Sequence, residues 1–148
     1  MNGAVSRDDL LGTWRLVEWQ VRLEDGSVER PFGRDAVGYV VYTADGHMIT
    51  TISRARRTLI GGDLPTAPGK ARAEAIDSFM AYSGTFRTDA AEVIHRVEMS
   101  LHPDWVDTEQ RRHVELAADG RSMTLSTGPL TAGGRSGRHV LAWERVGR

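Results

Sequence analysis

Gly12-Thr13-Trp14-Arg15-Leu16-Val17-Glu18-Trp19-Gln20-Val21 is the stretch that decides how this chain folds. Its aromatic and β-branched content and its spacing of apolar residues favour a strand. Side chains on a strand alternate, so two faces compete for the interior. Trp14, Leu16 and Glu18 share one face. Val17, Trp19 and Val21 share the other.

The rest of the chain reads in the same way. Strands are predicted over 36–43 and 47–53, flanking Ala44-Asp45-Gly46, where Asp-Gly supplies a hairpin turn. Further strands are predicted over 82–88, 92–101, 109–117, 121–127 and 138–146. Asp89, Pro103-Asp104, Asp119-Gly120 and Gly133-Gly134 mark their turns. With 13–22, this makes about eight strands in mostly sequential hairpins. That pattern suits an all-β, antiparallel up-and-down barrel formed as a single domain over 1–148. Before the first strand, 6–11 reads as a helical turn capped by Ser6 or Asp8. One insertion breaks the pattern. After a loop over 54–69, rich in Arg, Gly and Pro, residues 70–81 read as a helix. Its stripe of Ala73, Ile76, Phe79 and Met80 should be buried against the barrel, with the helix covering one end.

Gly12-Thr13-Trp14 is followed in order by Val37-Gly38-Tyr39-Val40-Val41-Tyr42, Phe79-Met80-Ala81-Tyr82 and His95-Arg96-Val97-Glu98-Met99. Gln110-Arg111-Arg112 and Leu125-Ser126-Thr127-Gly128-Pro129-Leu130 complete the series. In this sequence of motifs the chain resembles the small lipocalin-like domain family common in bacteria and fungi, from about Leu10 to Val146. The resemblance implies a barrel in which the Trp14 indole plugs the closed end. Gly12 would let another backbone pass close by. It also implies a pocket for a small molecule without naming that molecule. Some lipocalin-like proteins serve natural-product pathways as cyclases or isomerases. A plugging Trp14 favours Trp14, Leu16 and Glu18 as the inward set. Trp19 would then need cover from the helix or from a partner.

Composition narrows the function classes. A net charge of −1 offers no global field for nucleic acid, and the absence of cysteine excludes disulfides and thiolate chemistry. No apolar run approaches the ~20 residues needed to cross a bilayer, so no membrane partner is expected. The first nine residues contain Arg7, Asp8 and Asp9 and no apolar core of a signal peptide, which suggests a cytoplasmic protein. A secreted form with its signal removed would read identically. His47, His95, His102, His113 and His139 form no His-x-His or His-Glu-x-x-His pair, so no metal site and no cofactor are expected. No Gly-x-Ser-x-Gly elbow or phosphate loop is present. Arg54, Arg56 and Arg57 could greet an anionic substrate at a cavity mouth, although such runs more often form a solvated edge.

Alternation selects the interior candidates. Val114 and Leu116 bring Arg112 and Gln110 to the inward face of their strand. Met123, Leu125 and Thr127 form the inward face of the next strand. In 93–101 the apolar set is Val93, His95, Val97, Met99 and Leu101, which places His95 inside. In the last strand Leu141 and Trp143 compete with Val140 and Ala142. Glu18, His95 and Arg112 thus emerge as an interior polar trio. As catalytic groups, Arg112 would stabilise negative charge while His95 or Glu18 moved protons. The commoner alternative is a structural salt bridge that ties strands together. Trp14, Tyr39, Phe79, Tyr82, Met99 and Trp143 are the candidate ligand contacts, with Tyr42, Phe86 and Trp105 as further aromatics that could line a pocket. Only one of Tyr39 and Tyr42 can face the lumen. Three functions remain open: a binder of a small, mainly apolar molecule; a cofactor-independent cyclase or isomerase of a polyketide-like intermediate; or an interaction protein with a filled barrel. In the last, an exposed Trp19 or Trp105 could mark a homodimer surface.

Overall fold

The computed structural model describes residues 3–132 and 134–148. Of the expected Gly133-Gly134 turn, Gly133 lies outside the described residues. Nine strands run as β1 (Gly12–Arg22), β2 (Val28–Glu29), β3 (Val37–Tyr42), β4 (His47–Ser53), β5 (Phe79–Asp89), β6 (Glu92–Ser100), β7 (Glu109–Leu116), β8 (Ser122–Ala132) and β9 (Arg135–Gly147). Each long strand pairs antiparallel with its successor, and β9 returns to β1. The result is a closed barrel of eight strands, with the two-residue β2 attached to β1. Closure pairs the first strand of the barrel with its last.

The closed end is built around Trp14. A short helix, α1 (Arg7–Leu10), begins at a capping box in which Ser6 and Asp9 satisfy each other's backbone N–H groups. It delivers Leu10, which is fully buried and whose carbonyl accepts the Trp14 indole N–H at 2.9 Å. The Arg145 guanidinium stacks 4.1 Å from the centroid of the Trp14 ring. It also donates to the carbonyls of Gly120, Leu11 and Asp9 at 2.9, 2.6 and 2.8 Å. Gly12 has φ +118°, and a Cβ there would collide with the Gly147 carbonyl. Glycine is therefore needed where the first and last strands close the barrel.

Bulges settle which residues face inward. In the β1–β9 pairing, Leu16 faces Trp143 and Glu18 faces Ala142, so Val17 is an extra residue. The inward set is Trp14 and Leu16 before this bulge and Trp19 and Val21 after it, all buried. Both alternating sets are thus correct, each over half the strand. The expectations that Glu18 faces the lumen and that Trp19 stands exposed are corrected together. Phe32, from the segment after β2, packs edge-on to Trp19 with ring centroids 5.0 Å apart. A second bulge, at Glu98, lets Ser83 face Met99 and Gly84 face Val97. It turns Met99 outward, where it is 68% exposed, and so corrects its expected place in the cavity.

The insertion is shorter than the stripe suggested. A helix, α2, spans Gly69–Asp77 and buries none of its residues; Ile76 stays exposed. The Ser78 hydroxyl donates back to the Glu74 carbonyl at 2.8 Å, at the point where the chain leaves the helix. Phe79 then pairs with Ser53 and Met80 with Ile52, so ladder hydrogen bonds to β4 replace the last helical turn. The helix stands at the rim of the open end. Arg57 ties it down by donating to Ser78 Oγ and the Ala75 carbonyl, both at 2.9 Å.

Candidate functional site

A wide vestibule of about 780 Å³ opens at the end opposite Trp14, with Phe32, Arg54, Ile76, Phe79 and His102 in its walls. Beneath it lies a small chamber of about 40 Å³. The two share Met80, Tyr82, Trp105 and Ala132 in their walls, so they adjoin. The chamber admits a few atoms, whereas the vestibule falls within the ~300–1,000 Å³ of ordinary ligand sites.

His95 occupies the chamber wall at 2% exposure. Its Nε2 lies 2.7 Å from the Tyr42 hydroxyl and its Nδ1 lies 2.7 Å from the Tyr82 hydroxyl. Burial, reinforced by the Arg112 charge, lowers the His95 pKa to about 3. The ring is therefore neutral at pH 7, with one donor and one acceptor nitrogen. Tyr42 is buried, and His95 is the partner of its hydroxyl. A buried O–H left without an acceptor is costly, so Tyr42 donates to Nε2. The proton of His95 is thereby placed on Nδ1, which donates to the Tyr82 oxygen. The Tyr82 hydrogen remains free, and Tyr82 lines both vestibule and chamber. Three side chains from β3, β6 and β5 thus form a directed chain, Tyr42 to His95 to Tyr82.

Arg112 sits beside this chain at 9% exposure. It donates to the Arg111 carbonyl at 2.9 Å, and among the described residues it has no ion pair. Burial raises the Tyr82 phenol pKa, and the adjacent guanidinium opposes that rise through charge and hydrogen bonding. Trp143 also lines the chamber, and its buried indole N–H has no hydrogen-bond partner among the described residues.

The sequence candidates divide clearly. His95, Arg112, Tyr82 and Trp143 are brought together in the chamber, and Phe79 lines the vestibule. Glu18 lies outside with Gln20, pairing with Arg30 at 2.7 Å, which holds its carboxyl below the usual range after the larger effect of Gln20. Trp14 is sealed into the closed end instead of lining the chamber. Tyr39 is 44% exposed on the outer face, where the Arg15 guanidinium lies over its ring. Its neighbour Tyr42 takes the inward position. Trp105 is half-buried against Tyr82, with centroids 5.5 Å apart.

Sequence reasoning missed His139. It is buried, accepts the Trp19 indole N–H on Nδ1 at 3.0 Å, and lies with Nε2 at 3.1 Å from the Leu130 carbonyl. Alternation contained the signal: once Leu141 and Trp143 are placed inward, His139 follows on the same face.

An antiparallel barrel with one sealed end and a cavity at the other defines a lipocalin-type β-barrel. This chain belongs to the lipocalin-like domain family, whose profile matches residues 11–146. It is similar to the 4'-hydroxy-3'-methoxypropiophenone carrier protein of Aspergillus oryzae, with 36% identity over 85 residues, 51% of this chain and 75% of that protein. Among solved structures it is similar to the siderocalin Ex-FABP at 7% identity and a TM-score of 0.32, over 93% of this chain and 70% of that one. No helix among the described residues is long and apolar enough to cross a membrane.

Proposed function

We propose that this protein binds a small, mainly apolar molecule, with the molecule's body in the vestibule and its polar end in the chamber. The observation that carries this reading is a small, mainly apolar chamber, with His95, Arg112 and Tyr82 set in its wall, beside a much larger vestibule. Apolar walls supply affinity by removing surface from water, and a few fixed polar groups set orientation. The carrier name of the Aspergillus relative supports the same reading and makes a hydroxylated aryl ketone the first ligand to try.

The test is titration with 4'-hydroxy-3'-methoxypropiophenone and a panel of aryl ketones, following tryptophan fluorescence. Trp19, Trp105 and Trp143 all line the chamber, so occupancy should quench their emission saturably. Glu18→Gln should bind as the wild type does. An absence of saturable binding across the panel would sink the proposal.

The directed chain through His95 favours a second reading, a cofactor-free isomerase or cyclase. Tyr82 and Arg112 would hold a carbonyl oxygen as it gains negative charge on enolisation, with the α-proton passing to solvent water or hydroxide. His95 is too weak a base at neutral pH to take a carbon-bound proton, so its part would be to fix the Tyr82 hydrogen. Exchange of a bound ketone's α-hydrogens in D2O separates the readings. Exchange accelerated by the wild type and lost in His95→Gln would favour the enzyme; retention of unchanged ketone would favour the carrier.

A further inference from the structure

We infer that the chamber receives its ligand's polar end as an oxyanion: a carboxylate, or the ionised form of an acidic phenol or enol, attached to an apolar body. This inference rests on the small-molecule reading above and adds the charge state of the ligand.

The argument is an inventory of hydrogens. Thr50 donates to the Tyr39 carbonyl at 3.0 Å, and Thr127 donates to the Gly128 carbonyl at 2.6 Å. Trp19 donates to His139, which in turn has the Leu130 and Arg135 carbonyls for its own N–H, at 3.1 and 3.3 Å. The His95 hydrogen is committed to Tyr82 by the chain from Tyr42. What remains is the Tyr82 O–H, the Trp143 N–H, and the Arg112 N–H groups not used on Arg111 or Tyr82. The free capacity is on donors, and two of the three belong to a cation and to an orphaned indole.

Charge gives the same answer independently. Arg112 is the one charged side chain among the described chamber residues, and no carboxylate lines the chamber with it. A buried cation without a counter-ion is costly, and folded chains retain one where something else supplies the negative charge. The residues that could have paired with it from the sequence are turned away: Glu18 is held outside by Arg30. A neutral carbonyl would satisfy a donor and leave the charge uncompensated. An oxyanion satisfies both. The chamber's roughly 40 Å³ also suits a head of few atoms, such as a carboxylate, while the body remains in the vestibule.

The test uses two probes of nearly equal shape, naphthalene-2-carboxylate and naphthalene-2-carboxamide, titrated by calorimetry at pH 7.4. The wild type should bind the carboxylate at least about tenfold more tightly, a difference of about 1.4 kcal/mol. Arg112→Met should abolish that preference while still binding the amide. Tyr82→Phe keeps the charge and loses one donor, so it should reduce the preference only severalfold. A measurement without any substitution guards against a variant that fails to fold. Bound 7-hydroxycoumarin, whose phenolate absorbs at longer wavelength, should ionise about one pH unit or more below its value in water. Equal binding of the two naphthalenes, or a raised coumarin pKa, overturns the oxyanion assignment and leaves the apolar-ligand reading standing. A preference that survives in folded Arg112→Met overturns the role given to Arg112. Binding of none of the three probes overturns the apolar-ligand reading, and the oxyanion assignment with it.

Discussion

Tyr82 and His95 are joined by a 2.7 Å hydrogen bond whose direction is set from behind by Tyr42. Among the described residues His95 is the hydrogen-bond partner of Tyr42, so the Tyr42 hydroxyl fixes the tautomer of His95. The tautomer in turn leaves the Tyr82 hydrogen for the chamber. A residue outside the chamber lining thus determines what the chamber offers a ligand.

Tyr42→Phe should therefore act at two places. It removes a buried hydrogen bond and leaves Nε2 of His95 unsatisfied, at a cost of about 1–3 kcal/mol, readable by urea denaturation. It also frees His95 to take the other tautomer and accept the Tyr82 hydrogen. Ligand affinity should then fall even though Tyr42 touches no ligand. A stability loss with unchanged affinity would show that the tautomer does not matter to binding.

Stability should fall with acidity in a defined window. His95 has an ordinary pKa of about 6.5 when the chain is unfolded and about 3 when it is folded. Between those values the unfolded chain binds the extra proton, so stability rises with pH. His139 is shifted in the same direction, chiefly by burial, and adds to the slope. From pH 6.5 downward, the His95 contribution should be lost at roughly 1.4 kcal/mol per pH unit, ending near pH 3. Tyr42, Tyr82 and Arg112 face the ring, and none supplies a negative charge that would soften the loss. Chemical denaturation between pH 4 and 7 measures the slope; a profile unchanged in a folded His95→Gln variant would assign it to other groups.

Much of this arrangement was legible before the structure, and the failures share a physical cause. The Asp45-Gly46 hairpin, the Trp14 plug, and the inward Arg112, Val114, Met123 and Leu125 all follow from turn chemistry and strict alternation. Glu18 and Met99 fail because a bulge inserts one residue, and one residue reverses every face beyond it. Nothing local at Val17 or Glu98 announces those insertions. They serve the pairing across two strands, β1 against β9 and β6 against β5, which a single segment does not encode. The helix was overextended for a related reason. Phe79 and Met80 fit a helical stripe, but their partners Ser53 and Ile52 lie on a distant strand. Tyr42 and His139 were within reach of alternation alone, and His139 escaped because its strand presented two apolar faces.

Gly84 tests the β5–β6 bulge. A Cβ there would collide with the Arg96 carbonyl, which is backbone and has no rotamer through which to move aside. Gly84→Ala should destabilise the fold by at least about 1–3 kcal/mol, the usual range for forcing atoms into a packed interior. Gly62→Ala, where nothing lies within 4 Å of the added carbon, is the control and should change stability little. Comparable thermal unfolding of the two variants would mean that the strands can separate to accommodate the methyl group.

Arg112 offers the sharpest contrast between a structural and a functional role. If its purpose were to tie strands together, removing it would weaken the fold. Its hydrogen bond to the neighbouring Arg111 carbonyl spans one residue, and its hydrogen bond to Tyr82 reaches from β7 to β5 without pairing its charge. Its charge is buried without an ion pair among the described residues, which is a cost to the unliganded protein. Met keeps much of the apolar stem and removes that charge. Arg112→Met should therefore raise ligand-free stability by about 1–4 kcal/mol, the range seen when buried charges give way to packed apolar groups. The same substitution should weaken an anionic ligand at least about tenfold. Denaturation and binding, measured on one preparation, should move in opposite directions. A fall in both would return Arg112 to the status of a structural residue, because a binding group retained at the expense of stability gives the opposite sign in the absence of ligand.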